Sequence, residues 1–396
     1  MVTVDDAALV STARRWAMLA VGVLAQGTSA IVINGPAFLI PTLHRQDGLT
    51  LVQASMVAAA PSVGVMLTLI AWGYAVDMLG ERLVLAVGLA GTALAGLAAT
   101  RVDGTLPLVA TLFVAGGFGA STSSASGRVV IGWFPAQRRG LAMGIRQMAQ
   151  PLGVGVAAIS IAIVADRHGV STALLVPAVA SGVALLAVLL VVLDPPRPPR
   201  SLTVTPNPYA ESFLWRVHAV SVLLVIPQFA VWTFGLVWLV DAHGWSAGAA
   251  GALVAASQVV GAAGRITIGH VSDLVGSRMV PLRWVAVAAG VTMLLLGGTE
   301  AAGWGLALVV FVGATAVTVA DNGLAFTAVA ERAGPFWSGR ALGVQNTAQF
   351  LTAAAIAPLA GAAITHWGYA AAFTLTALGP AVAIGLVPRN EAAFTD

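Results

Sequence analysis

The chain has 396 residues, of which 58% are hydrophobic and only 9% are charged. Soluble proteins average about 25% charged residues, so 19 basic and 16 acidic side chains cannot cover a soluble chain of this length. Most soluble classes are therefore excluded, and lipid is expected around most of the protein. The absence of cysteine excludes disulfide frameworks, cysteine-ligated metal centres and thiol nucleophiles.

Twelve apolar runs are long enough to cross a bilayer core of about 30 Å, which needs about 20 residues per helix. The sequence therefore predicts an all-α integral membrane protein. The predicted spans 1 to 12 cover residues 16–43, 51–76, 83–100, 106–134, 140–165, 170–193, 213–241, 247–270, 281–298, 305–330, 339–365 and 369–387.

All 19 basic residues are arginines, and their distribution predicts the orientation of the chain. With the N-terminus inside, 13 arginines lie in cytoplasmic segments and three in external segments, as the positive-inside rule requires. Both termini are expected in the cytoplasm, with the protein in the plasma membrane. Arg14 and Arg15 resemble the start of a signal peptide, but the apolar run that follows is too long for one, so span 1 is predicted to be a retained anchor. Because the arginines are scattered, no nucleic-acid partner is expected.

Six prolines in residues 194–209 exclude a helix there and divide the chain into halves. We predict an N-terminal six-helix bundle over 1–193, a cytoplasmic linker over 194–212 and a C-terminal six-helix bundle over 213–396.

The two halves carry the same motifs. The pattern G-x-x-x-D-x-x-G-x-R occupies 73–82 and recurs at 269–278, an offset of 196, and residues 144–150 align with 343–349 at an offset of 199. Two blocks in the same order indicate a parallel duplication.

On these motifs the sequence resembles the major facilitator superfamily. The resemblance implies two six-helix bundles related by pseudo-two-fold symmetry about an axis along the membrane normal, with the substrate near the midplane. Spans 1, 4, 7 and 10 would line the cavity, and spans 2, 5, 8 and 11 would flank it. Residues 112–119 lack the arginine found in span 4 of proton antiporters, and residues 150–153 contain only part of the span 5 antiporter pattern. Residues 127–135 are more similar to families that carry organic anions.

The loop motif suggests a gate. Asp77 and Asp273 are expected to accept hydrogen bonds at helix ends and to pair with Arg82 and Arg278, which would latch one conformation. Arg265, one turn before the second motif, is assigned to the same latch. The alternative is that these residues only cap and stabilise loops.

Charged residues inside a membrane are costly and need a partner or a wet cavity. Arg128 and Arg146 are predicted at the same depth, facing one another across an anion that their forked donors would bind. The alternative is that they extend to the inner interface or cap carbonyls. Asp321 in span 10 is the predicted proton-coupling residue, since burial disfavours its charged form and a nearby arginine favours it. A fixed Asp–Arg pair that only holds the helices together is the alternative.

Neutral polar residues complete the predicted substrate site, although each is equally able to join helices by hydrogen bonds. These residues are Gln26, Asn34, Gln147, Gln150, Gln228, Trp232, Asn346 and Gln349.

The sequence contains no catalytic pattern. Its six histidines are scattered at helix ends and loops, and the absence of lysine excludes a phosphate-binding G-x-x-x-x-G-K-[ST] loop. We therefore expect no cofactor, no metal and no enzyme activity.

The predicted function is secondary transport of a small polar, anionic organic solute by alternating access, with protons as the candidate coupling ion and a monomer as the expected state. The alternatives are an exporter of drugs or hydrophobic metabolites, a non-transporting membrane sensor or scaffold, and an integral membrane enzyme.

Overall fold

The structure is a computed structural model that describes residues 10–45, 47–196 and 207–389. It is helical and contains no strand within these ranges. Its helices are α1 (Thr12–Asn34), α2 (Ile40–Arg45), α3 (Leu51–Leu79), α4 (Glu81–Ala99), α5 (Thr105–Gly119), α6 (Ser121–Trp133), α7 (Ala136–Gln147), α8 (Ala149–Ala173), α9 (Leu175–Val191), α10 (Ser212–Asp241), α11 (Ala247–Val275), α12 (Met279–Ala301), α13 (Leu306–Val317), α14 (Asp321–Ala333), α15 (Ser338–Thr376) and α16 (Leu378–Leu386).

These helices supply the twelve predicted spans. Ten helical stretches of the described residues are long and apolar enough to cross a membrane, and α9 is a shorter apolar helix. One of the ten stretches runs from Ser338 to Leu386 and changes direction at Gly368, which separates spans 11 and 12. Gly368 has φ 79° and Gly169, its equivalent between spans 5 and 6, has φ 80°. Glycine suits both positions because side chains disfavour positive φ.

Several predicted spans are interrupted. Span 4 is divided between α5 and α6 at Ala120, and span 10 is divided between α13 and α14 over residues 318–320. In span 1, a 3-10 helix that contains Pro36 separates α1 from α2. The division of span 10 has a direct consequence, since it makes Asp321 the first residue of α14.

The chain packs as two compact units. The described parts of Met1–Phe134, Met148–Pro206 and Ala333–Thr347 form unit 1, and those of Pro135–Gln147, Asn207–Arg332 and Ala348–Asp396 form unit 2. Helix α7 therefore packs within unit 2, and the start of α15 packs within unit 1, although each comes from the other half of the sequence. The predicted domain boundaries at 193 and 213 stay a prediction. Residues 197–206 of the predicted linker lie outside the described residues.

The same glycine contact occurs in each unit. In unit 1, a Cβ on Gly73 would overlap the carbonyl oxygen of Gly339, and in unit 2 a Cβ on Gly269 would overlap that of Gly140. These positions are equivalent in the two repeats. Helices can pack this closely only where neither carries a side chain at the contact.

Replacing Gly269 with alanine is expected to lower thermal stability, because the new methyl group must push α7 away from α11. Gly251→Ala is the matched control, since Gly251 lies on the same helix and a Cβ there would meet nothing within 4 Å. An alanine at position 251 should be neutral or slightly stabilising, by up to about 1 kcal/mol, because alanine is the better helix former. Thermal unfolding of the purified variants measures both effects. Equal melting temperatures for the two variants would contradict the close contact.

Candidate functional site

Asp77 binds the start of α15 in unit 1. Its carboxylate is 2% exposed and accepts hydrogen bonds from the backbone nitrogens of Gly339 (2.8 Å) and Arg340 (3.0 Å). It also pairs with the guanidinium groups of Arg340 (3.0 Å) and Arg128 (3.2 Å). A carboxylate is stabilised at this position because the first N–H groups of a helix have no acceptor within the helix.

Arg128 binds two carboxylates and a backbone carbonyl of its own unit. Its guanidinium donates to Glu81 at 2.8 Å, to Asp77 at 3.2 Å and to the carbonyl oxygen of Pro335, and the residue is 3% exposed. Two carboxylates already neutralise its charge. Its contact with Pro335 matches the alternative that it caps a carbonyl, and the predicted binding of a solute anion opposite Arg146 stays a prediction.

Arg82 does not pair with Asp77, so this predicted pair is wrong. Its side chain donates to the carbonyl oxygen of Leu189 at 2.6 Å, and its backbone nitrogen donates to the carboxylate of Asp194 at 2.8 Å. Arg82 therefore joins the start of α4 to the end of α9 within unit 1.

Asp273 makes the equivalent contact in unit 2. Its carboxylate accepts from the backbone nitrogens of Gly140 (2.9 Å) and Leu141 (2.8 Å) on α7. The pair predicted with Arg278 is present at 2.6 Å, and Arg278 also binds Glu331 at 3.2 Å. Asp273 and its two backbone donors match Asp77, Gly339 and Arg340 position for position in the duplicated sequence. The repeat therefore conserves a contact as well as a motif.

Arg278 retains its charge in this position. Burial alone lowers the pKa of an arginine, but the carboxylates of Glu331 and Asp273 outweigh burial and raise the pKa of Arg278 above its ordinary value. It also donates to the carbonyl oxygen of Ala136, which adds a second attachment to α7. Because the charge is stabilised, this contact is not expected to respond to physiological pH.

Arg265 contacts the opposite end of α7 from the one that Asp273 holds, and its predicted role in the latch stays a prediction. Its Nε donates to the carbonyl oxygen of Val319 at 3.2 Å, and its Nη1 donates to that of Gln147 at 2.7 Å. The guanidinium carbon lies 5.9 Å from the centre of the Trp232 ring. Two backbone carbonyls therefore fix the group, and no described residue accepts a hydrogen bond from its Nη2.

Asp321 is a buried carboxylate in span 10, as predicted. Its exposure is 0%, and neither of its oxygens accepts a hydrogen bond from a described side chain, although the backbone N–H groups of Asp321 and Asn322 lie near the carboxylate. Arg265 is near enough to act on it electrostatically, although no hydrogen bond joins the two groups. The carboxylate therefore has unused capacity to accept hydrogen bonds.

Arg146 is another buried charge of unit 2, with an exposure of 1%. Its Nη1 donates to the side chain of Gln147 at 2.8 Å, and its guanidinium carbon lies 5.9 Å from the centre of the Phe326 ring. Gln147 thus contacts both arginines, since its backbone oxygen accepts from Arg265. We call Arg146, Arg265 and Asp321 the charged cluster.

A chain of amides lies beside Asp321. Gln349 donates to Asn322 at 2.8 Å and to Ser221 at 2.8 Å, and Asn322 donates to Gln228 at 3.0 Å. The structure therefore brings the predicted residues Gln228 and Gln349 together through Asn322. The sequence analysis did not identify Ser221, and its isolated hydroxyl in an apolar helix gave no signal.

The predicted polar residues of unit 1 make weaker or local contacts. Gln26 accepts from Thr122 at 3.3 Å, whereas Asn34 and Asn346 each donate to the carbonyl four residues earlier in their own helix. Gln150 forms no side-chain hydrogen bond with the described residues.

The charged cluster has no charged counterpart in unit 1. The positions equivalent to Arg146 and Arg265 hold Gln345 and Leu69, and α6, which corresponds to α14, begins with Ser121 where α14 begins with Asp321. The two repeats therefore share the contact between a motif carboxylate and two backbone N–H groups. Only unit 2 contains the charged cluster.

In the part of the chain that the structure describes, long apolar helices with charges buried between them define a multi-pass membrane protein. The family model of the Major Facilitator Superfamily matches residues 21–357, and the chain belongs to this family. It is a transporter rather than an enzyme. Two strains of Mycobacterium tuberculosis (ATCC 25618 / H37Rv and CDC 1551 / Oshkosh) contain an uncharacterized MFS-type transporter that is 47% identical over 378 residues, which is 94% of this chain and 85% of the relative.

Solved structures share the fold at low sequence identity. The proton:xylose symporter XylE aligns with a TM-score of 0.76 at 14% identity and covers 95% of both chains. The E. coli fucose:proton symporter FucP aligns with a TM-score of 0.74 at 15% identity, over 93% of this chain and 97% of FucP. The human organic anion transporter MFSD10 has a TM-score of 0.71 at 16% identity, over 94% of this chain and 99% of MFSD10. These likenesses establish the twelve-helix fold.

Proposed function

We propose that this transporter moves a small, polar, anionic organic solute, and that the charged cluster of unit 2 binds it. The observation that carries this proposal is that Arg265 and Asp321 are both buried and both have unused hydrogen-bonding capacity. Burying a charge inside a membrane costs about 2.5–3.5 kcal/mol on insertion scales. A protein that buries Arg265 and Asp321 without a direct hydrogen bond between them is expected to use these groups to bind a ligand.

The composition of the cluster favours an anion. It holds two guanidinium groups and one carboxylate, and arginine presents donors in a fork that matches a carboxylate or phosphate. The two carbonyls that fix Arg265 accept hydrogen bonds from its Nε and Nη1. Its Nη2 is therefore available to donate a hydrogen bond to a solute.

Proton coupling through Asp321 is part of the proposal. A carboxylate buried beside an arginine can bind a proton in one conformation and release it in another, which links protonation to alternating access. Two of the structural neighbours are themselves proton symporters. In this proposal, the orientation remains that predicted from the arginines, with both termini cytoplasmic in the plasma membrane, and the protein is a monomer.

The two motif carboxylates are proposed as gates. Asp77 holds the start of α15 and Asp273 holds α7, each through two backbone N–H groups and at least one arginine. Opening would require these contacts to break, which suits a latch that is made in one state only. Arg278 shares this role, whereas Arg82 and Arg128 support the surrounding structure.

Solute counterflow in proteoliposomes tests the proposal. Vesicles loaded with an unlabelled carboxylate should accumulate the same labelled carboxylate transiently, and neutral sugars and hydrophobic cations should neither exchange nor compete. Exchange of hydrophobic cations instead would favour the drug-exporter alternative. Failure of every carboxylate to exchange would overturn the proposed substrate class.

A further inference from the structure

Two buried polar groups of unit 2 lack partners and have complementary chemistry. The indole nitrogen of Trp232 is a hydrogen-bond donor with no acceptor among the described residues, and neither oxygen of Asp321 accepts a hydrogen bond from a described side chain. Leaving such groups unbonded costs free energy, because folding removes them from water without replacing the hydrogen bonds. Native proteins rarely retain such groups without a reason.

Both groups belong to one contiguous set of side chains. The Trp232 ring lies beneath the guanidinium of Arg265, and Gln228 lies one turn before Trp232 on α10. Gln228 in turn accepts from Asn322, the neighbour of Asp321. The tryptophan that carries the unpartnered donor and the carboxylate of Asp321 therefore both lie next to Arg265.

A hydroxyl is the simplest group that satisfies both partners. It accepts a hydrogen bond from an indole N–H and donates one to a carboxylate, whereas a methyl or methylene group does neither. It also suits Asp321 in either protonation state, since a hydroxyl can accept from a protonated carboxyl group. A solute that bears only a carboxylate would occupy Arg265 and leave Trp232 unbonded.

We propose that the solute is a hydroxylated carboxylate, a hydroxy acid or sugar acid. Its carboxylate binds Arg265, and a neighbouring hydroxyl lies between the indole nitrogen of Trp232 and Asp321. This inference rests on the proposed function and narrows its substrate class. A site built to hydrogen-bond a hydroxyl rejects the analogue that lacks it, because the buried polar groups are then left unpaired.

Matched pairs of solutes that differ by one hydroxyl test the inference by counterflow. Lactate with propionate, malate with succinate, and gluconate with 2-deoxygluconate are suitable pairs. For the best-transported pair we expect a preference of about tenfold or more for the hydroxylated member. Trp232→Phe, which keeps a ring beneath Arg265 and removes the N–H, should bring this ratio close to one.

Trp238→Phe is the matched control. Trp238 also lies on α10 with a buried indole nitrogen that has no partner among the described residues, but it packs against Phe311 and Phe373 in the apolar core of unit 2. This variant should keep the wild-type ratio. Thermal stabilisation of each purified variant by the hydroxylated solute provides a second measurement that does not depend on reconstitution.

The outcomes separate the inference from the proposed function. If both members of every transported pair exchange equally, the hydroxyl subsite is wrong while anion transport stands. If Trp232→Phe keeps the full preference in counterflow and in thermal stabilisation, the assignment to Trp232 is wrong. If no carboxylate exchanges, the proposed function fails, and this inference fails with it.

Discussion

Replacing Arg265 with glutamine is expected to weaken solute binding by about 100-fold and to remove measurable uptake at low solute concentration. Glutamine keeps one amide donor near the position of the arginine Nε but cannot supply a positive charge or a fork of donors. Lysine at this position keeps the charge and loses the fork, so Arg265→Lys should give an intermediate affinity. Competition between labelled and unlabelled carboxylate in counterflow measures the effect.

Arg332→Gln is a suitable control for charge removal. Arg332 also lies in unit 2, but it is partly exposed at the end of α14 and pairs with the exposed Glu211. Exposed ion pairs contribute little, about 0–1 kcal/mol, so this variant should bind the solute as the wild type does. Wild-type affinity in Arg265→Gln would show that the anion binds elsewhere.

Replacing Asp321 with asparagine is expected to abolish accumulation driven by a proton gradient while leaving solute exchange in place. The amide has nearly the same shape as the carboxyl group but cannot take up a proton, so the solute no longer moves with one. In the wild type, acidification outside should raise uptake, because protonation of Asp321 removes the negative charge beside the solute. Exchange by Asp321→Asn should be independent of the gradient.

Glu300→Gln provides the control for this experiment. Glu300 is another partly buried carboxylate of unit 2, but it pairs with His243 at 3.0 Å near the end of α12, away from the charged cluster. This variant should accumulate solute in response to the gradient like the wild type. Gradient-driven accumulation that survives in Asp321→Asn would assign the proton to another group.

Much of the fold could be predicted from the sequence because the governing forces are local. Hydrocarbon requires about 20 apolar residues per helix, which fixes the number of spans without knowledge of their packing. Gly169 and Gly368 mark the turns after spans 5 and 11, since their positive φ suits glycine. The break in span 10 gave no comparable signal, because residues 318–320 contain neither glycine nor proline.

The candidate site was harder to predict because it depends on pairs that are distant in sequence. Arg128 was treated as a free cation, but its partner Glu81 lies 47 positions earlier in the chain. Arg265 was grouped with Asp273 by proximity along the chain, whereas its side chain contacts Val319, Gln147 and Trp232. The pair of Asp273 with Arg278 was predictable because both residues belong to one short loop motif.

A structure determined with a transported carboxylate bound tests the central claim most directly. We expect the carboxylate oxygens of the solute within hydrogen-bond distance, about 2.7–2.9 Å, of the Arg265 guanidinium. Solute bound away from Arg265, with that guanidinium still contacting only Val319, Gln147 and Trp232, would contradict it.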